Sequence, residues 1–385
     1  MSMSSRREYL VRIYDRYQRA GRKHKTKILD EFRLVCGYNR KYALRLLNRP
    51  LHSRPKRKPG PEPEYDPKLL LEPLRYIWLA SGQLCSWRLK AAVPLWLPHA
   101  PKVSQAAKEK LLKASRATLE RLLKPLRLKH PRRGLSTTKP GKLLRHHIPL
   151  RDGPPNTCEL GHIEADTVAH CGDSTAGDFV YSLTFTDLYS GWTEIRATWN
   201  KSAAAILNQL KDIESKLPFK MKTFHADNGS EFLNWPLLDY LRGRKKKVDF
   251  TRSRAYRKND NAHVEQKNWT HVRELFGHER FEHSKLVPLM NDLYAEWALL
   301  QNHFCPSVKL LSKEKHGSKY RRKYDQPQTP YQRLMQCQQL GPQAKHQLKV
   351  HHQKLDPFTL KKIIEQKTKI FLTAFGHLQR ESTNT

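Results

Sequence analysis

Two hydrophobic periods divide the chain. Up to about residue 130, apolar positions recur every three to four residues; from about 158 they first form short strand-like blocks, and then helical spacing returns. In residues 25–35, Ile28, Leu29, Phe32 and Val35 share one helical face. Cys36-Gly37-Tyr38 interrupts it, Asn39 supplies an N-cap, and residues 40–47 restart the pattern. Helix, glycine turn and basic second helix make a helix-turn-helix signature that would present Arg40, Lys41 and Arg45 to DNA. An ordinary helical hairpin with a basic outer face has the same pattern. Residues 52–64 are proline-rich and basic and read as a linker. Residues 69–97 read as further helix, with Leu70, Leu74, Ile77 and Trp78 on one face. Residues 109–128 form a second helix-turn-helix candidate, capped by Ser115 and carrying Arg121, Lys124 and Arg127.

Beyond a second linker at 131–157, the pattern predicts strands at 161–169, 179–187 and 193–200. A helix at 202–217, a strand at 221–227, a helix at 231–242 and a strand at 247–252 follow. Helices at 261–277 and 284–302 complete the segment, the latter with Leu286, Leu289, Met290, Leu293 and Trp297 as its stripe. This order predicts an α/β mixed sheet flanked by helices and preceded by all-α modules. The tail holds an extended basic patch at 319–323 and a helix near 357–372. The expected organisation is therefore two helical DNA-binding modules (1–50 and 67–130), linkers at 51–66 and 131–157, a core at 158–310 and a basic C-terminal region at 311–385.

Charge sharpens this division. The 385 residues carry a net charge of +36. Residues 1–150 hold 36 basic against 10 acidic residues, 311–385 hold 15 against 5, and 151–310 are balanced at 21 each. So lopsided an excess is the footprint of a polyanion partner, DNA or RNA. No apolar run reaches the ~20 residues of a membrane helix, and the first residues lack the apolar stretch of a secretory signal. Six scattered cysteines without a Cys-x-x-Cys pair fit free thiols in a reducing cytoplasm.

The balanced segment carries the candidate chemistry. Asp166 lies within a strand pattern, Asp227 ends another just before Asn228-Gly229, and Glu265 sits on a predicted helix. Three carboxylates gathered there would form a divalent-metal site for phosphoryl transfer. Glu164, two residues before Asp166, shares its sheet face and is a rival or helper. Asp187 reads as a structural cap, Glu231 as an acid at a helix start, and Asn228 and Asn261 as turn and cap residues. The loop 251–258, with Arg252, Arg254, Arg257 and Lys258 beside Tyr256, is placed for contact with DNA ends.

His162-x-Glu-x-Asp166, the run His225-Ala-Asp-Asn-Gly-Ser-Glu-Phe232, and Lys258-Asn-Asp-Asn-Ala-His-Val-Glu-Gln-Lys-Asn268 resemble the three motif blocks of the integrase catalytic core. That core is shared by retroviral-type integrases and insertion-sequence transposases of the Asp-Asp-Glu class. The likeness spans about 158–305 and implies an RNase H-like fold. It also implies catalytic and metal-binding roles for Asp166, Asp227 and Glu265 with two Mg²⁺ (or Mn²⁺) ions. Asp227 and Glu265 are separated by 37 residues, slightly more than is usual in the family. Val272 stands where many relatives carry a Lys or Arg, leaving Lys267 or Arg273 as the substitute. The zinc-binding module of retroviral integrases is absent.

The resemblance implies a DNA transposase that cleaves element ends and joins their 3′-hydroxyls to target DNA. Expected partners are double-stranded terminal repeats and target DNA, with a homo-oligomer forming on the ends. The expected location is the bacterial cytoplasm, in association with the nucleoid. A non-catalytic DNA-binding regulator derived from a transposase is the alternative, and a structure-selective nuclease of the same superfamily is a third reading.

Overall fold

A computed structural model describes residues 2–51, 64–127, 148, 151, 157–254 and 261–383, which fall into two compact units, Met1–Glu64 and Tyr65–Thr385. The first unit contains α1 (Met3–Arg19), α2 (Arg22–Cys36) and α3 (Arg40–Asn48). Its core is Ile13, Tyr17, Ile28, Leu29, Phe32, Cys36, Ala43 and Leu47. Gly37 ends α2 in the left-handed region at φ 69°, and the Asn39 side chain accepts from the Tyr42 N–H at 2.8 Å to start α3. Val35, expected inside, is instead 44% exposed. The buried stripe is centred on Phe32 and Cys36, and Val35 falls beyond its margin.

The second unit begins with α4 (Pro67–Ala80), α5 (Ser86–Trp96), α6 (Gln105–Lys113) and α7 (Arg116–Arg127). The helix expected over 69–97 is broken by a turn in which Gly82 (φ 75°) and Gln83 (φ 57°) take positive dihedrals. The sheet follows: β1 (His162–Ala169), β2 (Tyr181–Asp187), β3 (Thr193–Thr198), then α8 (Ala203–Lys216), β4 (Thr223–Ala226), α9 (Trp235–Arg242) and β5 (Asp249–Arg252). Its order is β3-β2-β1-β4-β5. β2 pairs antiparallel with both β1 and β3, whereas β4 is parallel to β1 and to β5. This is the RNase H-like mixed sheet that the resemblance implied.

After the sheet, the predicted continuous helix 261–277 divides into α10 (Ala262–Lys267), a π-helical turn (Asn268–Arg273) and α11 (Glu274–Phe276). Next come α12 (Leu286–Phe304), an antiparallel hairpin of β6 (Leu310–His316) and β7 (Lys319–Tyr324), α13 (Pro330–Gln336), α14 (Pro342–Gln353) and α15 (Pro357–Thr383). The basic patch at 319–323 is therefore one arm of a ribbon, and the last helix runs well beyond 372.

Alternation along the strands gives the sheet two faces. Ile163, Ala165, Leu183, Phe185 and Phe224 pack in one core with Ile206 and Leu210 of α8 and Leu237, Leu238 and Leu241 of α9. Val168, Val180, Ile195 and Ala197 join a second core with α12 and α15, and that core also takes in Leu74, Trp78, Leu89, Trp96, Leu111 and Leu123. The helices expected as a separate module at 67–130 are thus built into the same body as the sheet. Trp96 Nε1 donates to the Phe304 carbonyl at 2.9 Å across that junction. Among the described residues no helix is long and apolar enough to cross a membrane.

Candidate active site

The first two carboxylates meet because β1 and β4 are adjacent and parallel. Their register pairs Ala165 with Ala226, so Asp166 and Asp227, each one residue further on, sit side by side at the ends of this pairing. Asp166 shares the face of Glu164 and Val168, on which α10 and α12 lie. Its Oδ1 accepts from the Thr167 N–H at 2.8 Å, and its Oδ2 accepts from Asn268 Nδ2 at 2.7 Å. Asp227 Oδ1 accepts from the Gly229 N–H at 2.9 Å, which closes the Asn228-Gly229 turn.

A third acid joins them from the same sequence block. Glu231 is buried; its Oε1 accepts from Thr167 Oγ1 at 2.9 Å, and Lys201 Nζ stands 3.9 Å from its Oε2. It precedes α9 rather than opening it, because the helix begins only at Trp235 with Asn234 as its cap. The inward fold of Glu231 depends on Gly229, where a Cβ would lie 2.5 Å from the Glu231 carboxylate carbon.

Like charges confined out of water hold their protons. Burial, and then the neighbouring Asp227, push the Asp166 carboxyl well above the usual carboxylate range, with Glu265 and Glu231 adding to the shift. Burial and then Glu231 push Asp227 up to about 6, Glu265 adding a smaller push, while the Gly229 N–H and Lys201 oppose the rise. Glu265 therefore belongs to the same electrostatic cluster, although it stands exposed on α10.

Glu164 works beside the cluster. Fully buried, it receives Arg151 Nη1 on Oε1 at 3.0 Å and the Val264 N–H on Oε2 at 3.3 Å. It thereby ties the helix carrying Glu265 to the strand carrying Asp166. Asp187 is also structural: its carboxylate accepts from the Gly161 N–H at 2.8 Å and from the Ser190 N–H and hydroxyl at 2.7 and 2.6 Å.

The donor set suits a hard divalent ion. Two recessed carboxylates with raised proton affinity call for positive charge that Lys201 supplies only in part. Beside them, Thr184 Oγ1, directly across the strand pair from Asp166, and Asn268 Oδ1 are buried without a hydrogen-bond partner. The third arm is not drawn in: among the described residues no group of three His, Cys, Asp or Glu side chains forms a metal cage.

The basic residues expected to meet DNA divide into three sets. Lys41, Arg45, Arg121, Lys124 and Arg254 are exposed. Arg40 is exposed too, with Asp30 at 2.9 Å. Others are committed to the protein: Arg252 donates to the Ile148 carbonyl at 2.8 Å and to Asn228 Oδ1 at 3.1 Å, and Arg273 donates to the Ala169 and Gly277 carbonyls at 3.0 and 3.2 Å. Lys267 is pushed down to about 7 by burial and by the charges of Arg88 and Arg333. Arg257 and Lys258 lie outside the described residues. Val272 is fully buried in the core.

Sequence reasoning passed over Asn268, Lys201 and Thr184, and read Glu231 only as an acid at a helix start. Glu231 was within reach, since it belongs to the same Asp-Asn-Gly-Ser-Glu-Phe block as Asp227. Asn268 was not, because only the π-helical turn brings it under Asp166.

Comparison with known proteins bears on the domain that holds these residues. Residues 156–257 match the integrase core domain family, a span that includes Asp166 and Asp227 and stops short of Glu265. Over 344 residues the chain is 36% identical to the "Uncharacterized protein y4rM" of Sinorhizobium fredii (strain NBRC 101917 / NGR234), covering 86% of this chain and 96% of that protein. The chain belongs to one family with that protein and carries an integrase core domain over residues 156–257. A solved structure similar to this integrase-core protein is the HTLV-2 integrase catalytic core domain in complex with magnesium, in its dimeric form. It is 12% identical with a TM-score of 0.29, and covers 39% of this chain and 92% of that one.

Proposed function

We propose that the protein is a DNA transposase that hydrolyses the phosphodiester at the ends of its element and joins the freed 3′-hydroxyl to target DNA. The observation that carries this reading is the Asp166–Asp227 pair on adjacent parallel strands: burial and the neighbouring Asp227 raise the proton affinity of Asp166, and burial and Glu231 raise that of Asp227. Such a pair is costly to maintain unless a cation joins it.

Asp166, Asp227 and, as third carboxylate, Glu265 would hold two Mg²⁺ or Mn²⁺ ions. Bound there, the ions would supply acidity to the attacking water or hydroxyl and neutralise charge on the leaving oxygen. The chain's own residues do the rest. Thr167 and Gly229 N–H groups fix one oxygen of each aspartate, and Asn268 fixes the second oxygen of Asp166. Lys201 steadies Glu231 beside them. Glu164 holds the N-terminal turn of α10 against β1.

Substrate is gripped elsewhere. Lys41 and Arg45 on α3, Arg121 and Lys124 on α7, and Arg254 before the catalytic helix are exposed cations suited to phosphate. Arg257 and Lys258 extend the last group in sequence. Glycine-turned α2–α3 and Ser115-capped α6–α7 support helix-turn-helix reading of terminal repeats, and synapsis of two ends calls for more than one copy of the chain.

The test is a cleavage and strand-joining assay on terminal-repeat duplexes with Mg²⁺ or Mn²⁺. Asp227→Asn should abolish joining and leave DNA binding intact. Normal joining by that variant refutes the enzyme assignment. DNA binding without cleavage by the unmodified protein supports a regulator, and cleavage without joining a nuclease.

A further inference from the structure

The β6–β7 ribbon has no core of its own. Every strand position except Ser312 is exposed, and the two strands carry Lys313, Lys315, Lys319, Arg321, Arg322 and Lys323 against the single acid Glu314. An isolated two-stranded hairpin is marginal in water, and this one also sets like charges face to face. Lys313 lies directly opposite Arg322, an unfavourable cross-strand pair. Glu314 opposite Arg321 offsets one such cation, and an external anion would relieve the rest.

The root of the ribbon is held firmly. The Lys309 N–H donates to Asp325 Oδ1 at 2.6 Å, and buried Arg333 donates to Asp325 Oδ2 at 2.9 Å and to the Ser307 carbonyl at 2.8 Å. A fixed base beneath two projecting cationic strands makes an arm with set direction.

One face of that arm leads onto another element. Tyr320, Arg322 and Tyr324 share a face with Lys313 and Lys315, as the register and the 4.7 Å approach of Lys313 Nζ to the Tyr320 ring require. At its root Tyr324 packs edge-on against Trp87, 6.5 Å between centroids, and the Arg116 guanidinium lies 5.7 Å over the same Trp87 ring. Arg116 opens α7, the helix that displays Arg121 and Lys124.

We infer that the β6–β7 ribbon and the first turn of α7, joined through Trp87, form one continuous surface for duplex DNA. The B-form major groove, about 12 Å wide, admits a two-stranded ribbon. Lysines and arginines on both faces of such a ribbon would meet phosphates along the groove walls, while the half-exposed Tyr320 is free to contact sugars or base edges.

The experiment compares the full chain with a Lys313→Ala/Lys315→Ala/Arg321→Ala/Arg322→Ala variant in binding a random-sequence duplex across a salt series. Each lost phosphate contact lowers the slope of log affinity against log salt by about 0.9, so the slope should fall by about two to four and affinity near physiological salt by about 10- to 100-fold. Adding Arg116→Ala should lower the slope by about one more. Duplex should also protect Lys313, Lys315 and Lys319 from acetylation in the unmodified protein. An unchanged slope, equal acetylation with and without duplex, or preference for an RNA hairpin over duplex DNA would overturn the inference. It rests on DNA being the substrate, but binding is read without catalysis. A ribbon that grips DNA in a protein that joins no ends defeats only the transposase reading, and a ribbon variant that binds normally defeats only this one.

Discussion

Asn268 and Asp166 are 102 positions apart in the chain, yet the Asn268 amide donates to the aspartate at 2.7 Å. The contact joins the helix region after Glu265 to the central strand and leaves Asp166 with one oxygen on the backbone and one on a side chain. Partners that orient a metal-binding carboxylate typically govern affinity and rate by 10- to 100-fold. Asn268→Ala should therefore slow strand joining by about 10-fold or more, raise the Mg²⁺ concentration needed for half activity, and cost only about 1 kcal/mol of stability. A joining rate within twofold of the original would remove Asn268 from the site.

The raised proton affinity of Asp227 has a signed consequence for stability. Its carboxyl titrates near 6 in the fold against 3.8 ordinarily, so the folded chain holds this proton more tightly than the unfolded one. The contribution, at most about 3 kcal/mol, is fully present below about pH 4 and is lost as pH rises through about 6. In EDTA, Asp227→Asn should flatten the fall in melting temperature between pH 4.5 and 7. Added Mg²⁺ should raise the melting temperature of the unmodified protein more at pH 7 than at pH 5. Identical pH dependence in the two proteins would contradict the assigned cause.

Gly229→Ala addresses Glu231 without touching it. The added methyl occupies the space of the Glu231 carboxylate and drives it off Thr167 Oγ1. With that charge further away, Asp227 should titrate lower, and the acid limb of the joining pH profile should move to lower pH. Unfolding free energy should change by less than about 1 kcal/mol, because Gly229 does not have a positive φ and the displaced group is a flexible side-chain end. An acid limb that stays in place would show that Glu231 does not set it.

Glu164→Ala strips the partly buried Arg151 guanidinium of a carboxylate and the Val264 N–H of its acceptor. Loss of one partner from a buried pair costs about 3–5 kcal/mol. Denaturant unfolding should report that loss, hydrogen exchange at Val264 should accelerate, and Glu164→Gln should recover part of both. Unchanged exchange at Val264 would mean that Glu164 does not hold α10.

Much of the sheet was legible because strand alternation and turn residues are local signals. The Asp-Asn-Gly block placed Asp227 at a strand end, and the structure sets it beside Asp166. What escaped depends on long-range fit. A π-helical turn keeps the apolar spacing of a continuous helix, so Asn268 gave no sign of its inward direction. Glu231 had the look of a helix-start acid, and only a neighbouring glycine lets it fold under. The stripe of Leu70, Leu74, Ile77 and Trp78 announced a buried face without saying that the same core reaches the five-stranded sheet. The ribbon read merely as a basic patch, since no apolar face marks its strands.

That shared core limits how such proteins diversify. Trp96, Phe304 and Phe371 belong to a single interior fed by helices before the sheet and after it. Exchanging either flank with a distant relative would need many matched replacements at once, so both flanks and the sheet should be inherited together. The α1–α3 unit is built instead around Leu29, Phe32 and Leu47, so replacing that helical segment would leave the side chains of the larger interior unchanged.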